Sequence, residues 1–195
     1  MTTIDWDQLT WRNPPPEARR EGDALVVTTG GGTDWWRITG YGFDNTNGHL
    51  LGAPFANESA LEVTFRADLT AQYDQAGLML HAADDTWIKA GLERADGVLW
   101  AAVVVTHGFS DWSVVPLEAP SADTPVTIRV SRSRDAVTFR YGIGDEAPER
   151  LLRIAHWAPD LVTTAGPMTC SPTRAGLVVR FDPVRVGPPD APLTA

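Results

Sequence analysis

The stretch YDQAGLMLHAADDTWIKAGLERADGVLWAAVVVT, residues 73–106, decides the fold of this chain. Apolar residues recur at every second position along it, a spacing that is typical of half-buried β-strands. The alternation breaks at Ala83-Asp84-Asp85 and at Asp96-Gly97, and Asp-Gly pairs favour two-residue hairpin turns. We therefore predict three consecutive antiparallel strands, joined by two tight turns.

The hydrophobic pattern also predicts the register of these strands. Leu80 pairs with Ile88 on the face toward the core, because a slip of one residue would bury Lys89 and Glu93 there. On the opposite face, here called the outer face, the expected pairs are Met79–Lys89, Gly77–Gly91, Gln75–Glu93, Glu93–Trp100, Gly91–Ala102 and Lys89–Val104.

Other segments show the same alternation and predict an all-β protein. The clearest is LEVTFRAD, 61–68, in which Leu61, Val63 and Phe65 share one face. Strands are expected at 25–29, 35–39, 60–68, 73–81, 86–94, 98–106, 126–131, 137–143, 151–155 and 176–182. Many short strands with close turns indicate a sandwich of two antiparallel sheets. We expect one domain over 1–185, tethers at both ends, and a proline-rich C-terminal tail over 186–195.

Two glycines facing each other on the outer face raise the question of what lies above them. Either a large side chain covers Gly77 and Gly91, or they form the floor of a shallow groove that admits a ligand. Aromatic rings beside amide and carboxylate groups would suit a sugar, which has apolar C–H faces and many hydroxyls. The residues predicted to bind ligand are Tyr73, Gln75, Gly77, Trp87, Lys89, Gly91, Glu93, Trp100, His107, Asp111 and Trp112.

Composition narrows the classes of partner. The net charge of −9 argues against binding nucleic acid or an anionic membrane, because both attract clustered cations. The first residues lack a basic start followed by an apolar run, and no membrane-length apolar segment occurs, so a cytoplasmic location is expected. We expect a small sugar or glycoconjugate as partner, and a homodimer remains open.

No metal, cofactor or nucleophile motif is found. The four histidines have no metal-ligand spacing, and Cys170 is expected to be a small buried side chain. We therefore predict no cofactor, no metal site and no catalytic residue. In FSDWS, 109–113, Ser110 and Asp111 are expected to order a loop, with ligand contact as the alternative. Of the pair Trp35-Trp36, Trp36 is expected in the core.

Five segments resemble the YesU-like family, a domain-of-unknown-function family that includes proteins labelled "regulation of enolase". They are TDWWRITGYGF (33–43), YDQAGLML (73–80), WIKAGLE (87–93), THGFSDWS (106–113) and GPMTCSPTRAGLVVRF (166–181). The resemblance implies a concanavalin A-like jelly roll in which the outer face is the concave face. It also makes motif residues candidates by position, among them Trp36, Asp74, Ser110 and Arg174.

Three functions follow as hypotheses. The first is a carbohydrate-binding protein that uses the concave sheet, and the second is a regulatory module that docks another protein. The third is a glycoside hydrolase-like enzyme. Glucanases of this fold carry the pattern E-x-D-x-x-E on one strand, and this sequence lacks it, so a hydrolase would need an unrecognised carboxylate pair.

Overall fold

The computed structural model describes residues 1–191, nearly all of which lie in strands and turns. The strands are β1 Thr2–Thr3, β2 Thr10–Arg12, β3 Glu17–Glu21, β4 Ala24–Thr28, β5 Trp35–Arg37, β6 Asp44–Thr46, β7 His49–Pro54, β8 Ser59–Ala67, β9 Gln75–Ala83, β10 Thr86–Ala95, β11 Val98–His107, β12 Phe109–Leu117, β13 Val126–Ser133, β14 Ala136–Ile143, β15 Arg150–His156, β16 Thr164–Cys170, β17 Val178–Phe181 and β18 Arg185–Gly187. A 3₁₀ helix spans Trp6–Gln8. None of the described residues forms a helix with the length and apolar character that a membrane crossing requires.

Two large antiparallel sheets pack face to face as a jelly-roll sandwich, which confirms the predicted fold class. The nine-stranded sheet runs β15-β14-β13-β8-β17-β4-β3, with β18 beside β8 and β1 beside β18. The seven-stranded sheet runs β12-β11-β10-β9-β16-β7-β2. The main core lies between them, and alternate residues of β8, such as Val63 and Phe65, point into it.

The register predicted for β9, β10 and β11 is confirmed pair by pair. Leu80 lies opposite Ile88, and Gly77 lies opposite Gly91. Gly91 also lies opposite Ala102. The turn residues and the inward apolar positions agree on a single alignment, which is why the pattern was sufficient.

The two facing glycines are required by the close approach of their backbones. A β-carbon added to Gly77 would overlap the carbonyl oxygen of Ala90 and lie 2.6 Å from the α-carbon of Gly91. One added to Gly91 would overlap the carbonyl oxygen of Ala76 and lie 2.8 Å from the α-carbon of Gly77. Glycine is therefore required at both positions because the two strand backbones lie too close together for a side chain.

A two-stranded sheet, β5 and β6, lies on the outer face of the seven-stranded sheet and creates a second core there. Trp35 is fully buried in it, and its ring packs edge-on against Trp87 at 5.7 Å and His81 at 5.6 Å. Met79 and Met168 complete the packing beneath the indole. The expectation that Trp36 would be the core member of the pair is wrong, because β5 belongs to this covering sheet, which turns Trp35 inward.

Both ends of the described chain are more ordered than the expected tethers. The segment around the proline run contributes β2 and β3, which pair with β7 and β4. At the other end, β18 pairs with β8, and Asp190 lies 2.6 Å from Arg129 and 3.3 Å from Arg140. The described part of the expected tail is thus bound to the nine-stranded sheet, and 192–195 lie outside the described residues.

We predict that Gly91→Ala lowers the free energy of unfolding by at least about 3 kcal/mol, the upper range for inserting atoms into a packed site. The matched control is Gly97→Ala in the following turn, where a β-carbon meets nothing within 4 Å and the cost is that of a positive φ, about 1–2 kcal/mol. Urea denaturation measures both. Equal losses would contradict close strand contact as the reason for Gly91.

Candidate ligand-binding site

A cavity of about 200 Å³ lies between the β5–β6 hairpin and the rim of the outer face. We call it the aromatic cavity, because five aromatic side chains line it. Its lining residues are Asp34, Trp36, Tyr41, Phe43, Asn45, Tyr73, Gln75, Glu93, Trp112 and Pro172. Two depressions on the nine-stranded sheet, about 220 and 670 Å³, have no aromatic ring among their described lining residues.

One wall of the cavity comes from the turn between β5 and β6. The rings of Tyr41 and Phe43 stack with centroids 5.5 Å apart and planes at 12°, and Trp36 packs against Tyr41 at 5.7 Å. Ile38 holds this turn closed, because its amide donates to Phe43 O at 2.7 Å and its carbonyl accepts from Gly42 N at 2.7 Å. Ile38 has φ 64°, which is strained for a β-branched residue.

The rest of the aromatic lining comes from the large sheet. Tyr73 precedes β9 and also has a positive φ, 63°, with its amide donating to Arg94 O at 2.6 Å. Trp112 lies on edge strand β12 and is 37% exposed. Strained residues persist where surrounding contacts hold them, and they cluster at functional sites. Here Ile38 and Tyr73 both carry parts of the cavity wall.

The floor of the cavity is polar and contains a buried ion pair. Lys89 Nζ lies 3.2 Å from Asp34 Oδ1 and donates to Gln75 Oε1 at 2.7 Å. Gln75 Nε2 in turn donates to Asp34 Oδ1 at 3.3 Å. Burial alone would lower the pKa of Lys89, but the carboxylates of Asp34 and Glu93 together raise it. The two carboxylates thus favour the charged form of Lys89 beneath the site.

The Lys89–Gln75 hydrogen bond also settles what covers the facing glycines. Lys89 lies one pair before Gly91 along the outer face and Gln75 lies one pair beyond it, so the bond passes above the glycine row. The void that remains over Gly91 is only about 10 Å³, room for one water at most. The structure therefore shows the covered alternative and not an open groove over Gly77 and Gly91.

Glu93 is the most perturbed acid of the site. Burial raises the pKa of its carboxyl group to about 7, and Asp34 adds to the rise, against the opposing effects of Lys89 and Trp112. Glu93 is only 7% exposed, yet it lines the aromatic cavity. A ligand would thus meet a carboxyl group that exchanges its proton near neutral pH.

The structure brings together some of the residues predicted to bind ligand and separates the others. Tyr73, Gln75, Glu93 and Trp112 line the aromatic cavity. Lys89 and the two glycines lie beneath its floor. Trp87 is fully buried in the second core.

Three predicted residues line no part of the aromatic cavity. Trp100 is half-buried and donates its indole N–H to Ala95 O at 3.1 Å. The ring of His107 packs near Trp157 at 6.0 Å, and the carboxylate of Asp111 lies 3.7 Å from Arg153. Trp100 lies on β11 as predicted, whereas Asp111 lies on β12 and not in the loop expected for FSDWS. The hairpin places the cavity at one end of the outer face.

Asp74, Arg174 and Ser110, singled out by motif position, have structural contacts. The fully buried Asp74 accepts from Arg174 Nη2 at 2.5 Å and from Ser171 Oγ at 2.7 Å, and thereby orders the entry to β9. Ser110 Oγ accepts from Arg37 N at 2.9 Å, which ties β12 to the covering hairpin. These residues hold the elements that form the cavity.

Sequence reasoning missed several residues of the cavity lining: Asp34, Tyr41, Phe43, Asn45 and Pro172. All but the last belong to the β5–β6 hairpin, which is remote in sequence from β9 and β10. The segment TDWWRITGYGF contained a signal, because its cluster of aromatics exceeds what one short strand can bury. Within residues 1–191, no group of three or more His, Cys, Asp or Glu side chains is arranged to hold a metal ion.

Comparison with known proteins shows the family. Residues 11–189 match the family described as "protein of unknown function (DUF1349)". The chain belongs to this family. It is 33% identical over 174 residues to "Regulation of enolase protein 1" of Saccharomyces cerevisiae, a match that covers 89% of this chain and 86% of the relative. The resemblance identified from the sequence is confirmed.

Solved structures extend the comparison of this DUF1349 chain to the fold. A functionally unknown protein from Saccharomyces cerevisiae superposes with a TM-score of 0.89 at 31% identity, covering 96% of this chain and all of that one. The GH43 protein BlXynB of Bacillus licheniformis superposes with a TM-score of 0.74 at 18% identity, over 94% of this chain and 38% of that one. At that identity the likeness shows a shared fold only.

We predict that Glu93→Gln stabilises the chain at high pH. The folded-state pKa of about 7 exceeds the ordinary 4.5, so the folded state loses stability as pH rises from 4.5 through 7. Glutamine cannot ionise, and the free energy of unfolding should rise by about 1–3 kcal/mol at about pH 8, with little change below about pH 4.5.

Urea denaturation across this pH range is the measurement. Glu118→Gln, at an exposed position, is the control, and its difference in free energy of unfolding from the unmodified chain should not change with pH. Glu93→Gln could instead lower the free energy of unfolding by the same amount at every pH. That result would show that the carboxyl group is needed for packing and that burial does not raise its pKa.

Proposed function

We propose that this DUF1349 chain binds a sugar in the aromatic cavity. The single observation that carries the proposal is the lining itself, in which five aromatic rings surround a polar floor. Sugar rings have apolar C–H faces that stack on aromatic rings and hydroxyls that bind planar amide and carboxylate groups. Cavities that enclose drug-sized ligands have about 300–1,000 Å³, so a cavity of about 200 Å³ suits one ring.

The polar groups of the floor are available to hydroxyls. Asp34 uses Oδ1 for its contacts with Lys89, Gln75 and the Trp35 amide, and within residues 1–191 its Oδ2 receives no hydrogen bond. Asn45 offers an amide from β6. The floor is rigid before a ligand arrives, because the Lys89 ion pair already fixes Asp34 and Gln75, and preorganisation lowers the cost of binding.

The likeness to GH43 proteins supports the proposal only at the level of the fold. A protein titled xylan beta-1,4-xylosidase, from Bacillus halodurans, superposes with a TM-score of 0.65 at 13% identity. Folds of this kind carry many functions, so the sugar proposal rests on the cavity. The regulatory-module hypothesis stays a prediction.

We predict that Trp112→Ala weakens binding about tenfold, because it removes one stacking face of the cavity. Isothermal titration with a panel of neutral methyl glycosides at millimolar concentration measures the affinity. Trp100→Ala is the matched control: it removes a tryptophan of the same sheet that lies outside the cavity, and affinity should stay within about twofold.

Failure of the whole panel to bind would overturn the sugar proposal. If Trp100→Ala weakens binding and Trp112→Ala does not, the sugar binds at another part of the outer face.

Glycoside hydrolysis is a second candidate function, favoured by the two carboxyl groups of the cavity. Asp34 is ion-paired with Lys89, whereas burial raises the pKa of Glu93 to about 7, and acids with such different environments can divide the roles of base and proton donor. We expect release of nitrophenol from an aryl glycoside, lowered about a hundredfold by Glu93→Gln and unchanged by Asp111→Asn. Activity that survives Glu93→Gln would remove Glu93 as the acid.

A further inference from the structure

We propose that the aromatic cavity selects positive charge, so that its sugar carries a protonated amine. This inference rests on the proposed function and narrows its ligand class. It follows from the charges that surround the cavity and from the aromatic rings that line it.

The cavity presents acids and no free cation. Asp34 and Glu93 line it, and among residues 1–191 no lysine, arginine or histidine does. The nearest cation, Lys89, lies under the floor with its ammonium bound to Asp34 and Gln75, and its side chain is only 5% exposed. Because Lys89 offsets the charge of Asp34, the excess negative charge that a ligand meets is the carboxylate of Glu93, which is mostly ionised above about pH 7.

The aromatic wall adds to the same preference. The faces of Trp, Tyr and Phe rings carry negative electrostatic potential and attract cations within about 6 Å, with indole the strongest. Trp36, Tyr41 and Phe43 pack against one another, and Trp112 on β12 and Tyr73 before β9 line the cavity from the large sheet. Rings and carboxylates together form the environment in which proteins hold organic ammonium groups.

An anionic sugar would be excluded by the same arrangement. A uronate or phosphate in the cavity would lose water and gain no cationic partner, while lying beside Asp34 and Glu93. A protonated amine would instead pair with the Glu93 carboxylate, whose ionisation burial otherwise opposes. The overall charge of −9 acts in the same direction during approach.

The test compares three hexosides that differ only at C6. Methyl 6-amino-6-deoxyglucoside, methyl glucoside and methyl glucuronide are titrated into the full chain by calorimetry at about pH 8, where Glu93 is mostly ionised. We expect the amine to bind at least about tenfold more tightly than the neutral glucoside, with no detectable binding of the glucuronide.

Two variants test whether Glu93 is the source of the preference for the amino sugar. Glu93→Gln should reduce the preference for the amine over the neutral glucoside to about threefold or less. Asp111→Asn removes an exposed carboxylate outside the cavity and should leave that preference unchanged. The comparison of the three sugars on the unmodified chain does not depend on whether Glu93→Gln folds.

The outcomes separate this inference from the proposed function. Equal or tighter binding of the glucoside or glucuronide overturns the inference and leaves sugar binding in place. Binding of none of the three, together with no binding of any sugar in the neutral panel, overturns the proposed function. In that case choline is compared with its uncharged isostere 3,3-dimethylbutan-1-ol: a preference for choline supports selection of charge, and no preference overturns it.

Discussion

The buried ammonium of Lys89 is the contact on which the arrangement of the outer face depends. It reaches across the row of Gly77 and Gly91 to Gln75, and it holds Asp34 at the start of the covering hairpin. A lone buried cation would be costly, so the partners are essential to its position. Through this one group the large sheet fixes both the hairpin above it and the polar floor beside it.

The seven-stranded sheet is consequently covered on both faces. One face meets the nine-stranded sheet in the main core, and the other meets Trp35 in the second core. The outer side of the nine-stranded sheet is polar by comparison. Arg66 donates there to Asp182, and Thr127 is hydrogen-bonded to Thr64. Because the hairpin covers the middle of the outer face, the aromatic cavity lies at the rim of that face, between residues of the hairpin and of the sheet.

The part of the fold that the sequence predicts is the part governed by local rules. Turn chemistry and strict alternation gave the register of β9, β10 and β11. β16 was missed because Gly166 and Pro167 interrupt its pattern. In the structure the pairing of β16 with β7 skips these two residues and continues in the same register on either side. β12 was missed because an edge strand has little apolar alternation, with most of its residues exposed.

The candidate site was only partly predictable, for a physical reason. Gln75 and Glu93 could be placed on one face because strand pairing fixes their separation. Tyr41 and Phe43 reach the same cavity through the docking of a remote hairpin, and no local periodicity encodes that contact. The assignment of Trp36 to the core failed for the same reason, since alternation defines two faces but not which of them another element will cover.

The isolation of Lys89 has a practical consequence for chemical labelling. It is the only lysine of the sequence, its side chain is only 5% exposed, and its ammonium is bound to Asp34 and Gln75, so acylating reagents have little access to it. Succinimidyl esters should therefore leave Lys89 unmodified in the folded chain. The rate of any slow acylation of Lys89 would then report how often the hairpin separates from the sheet.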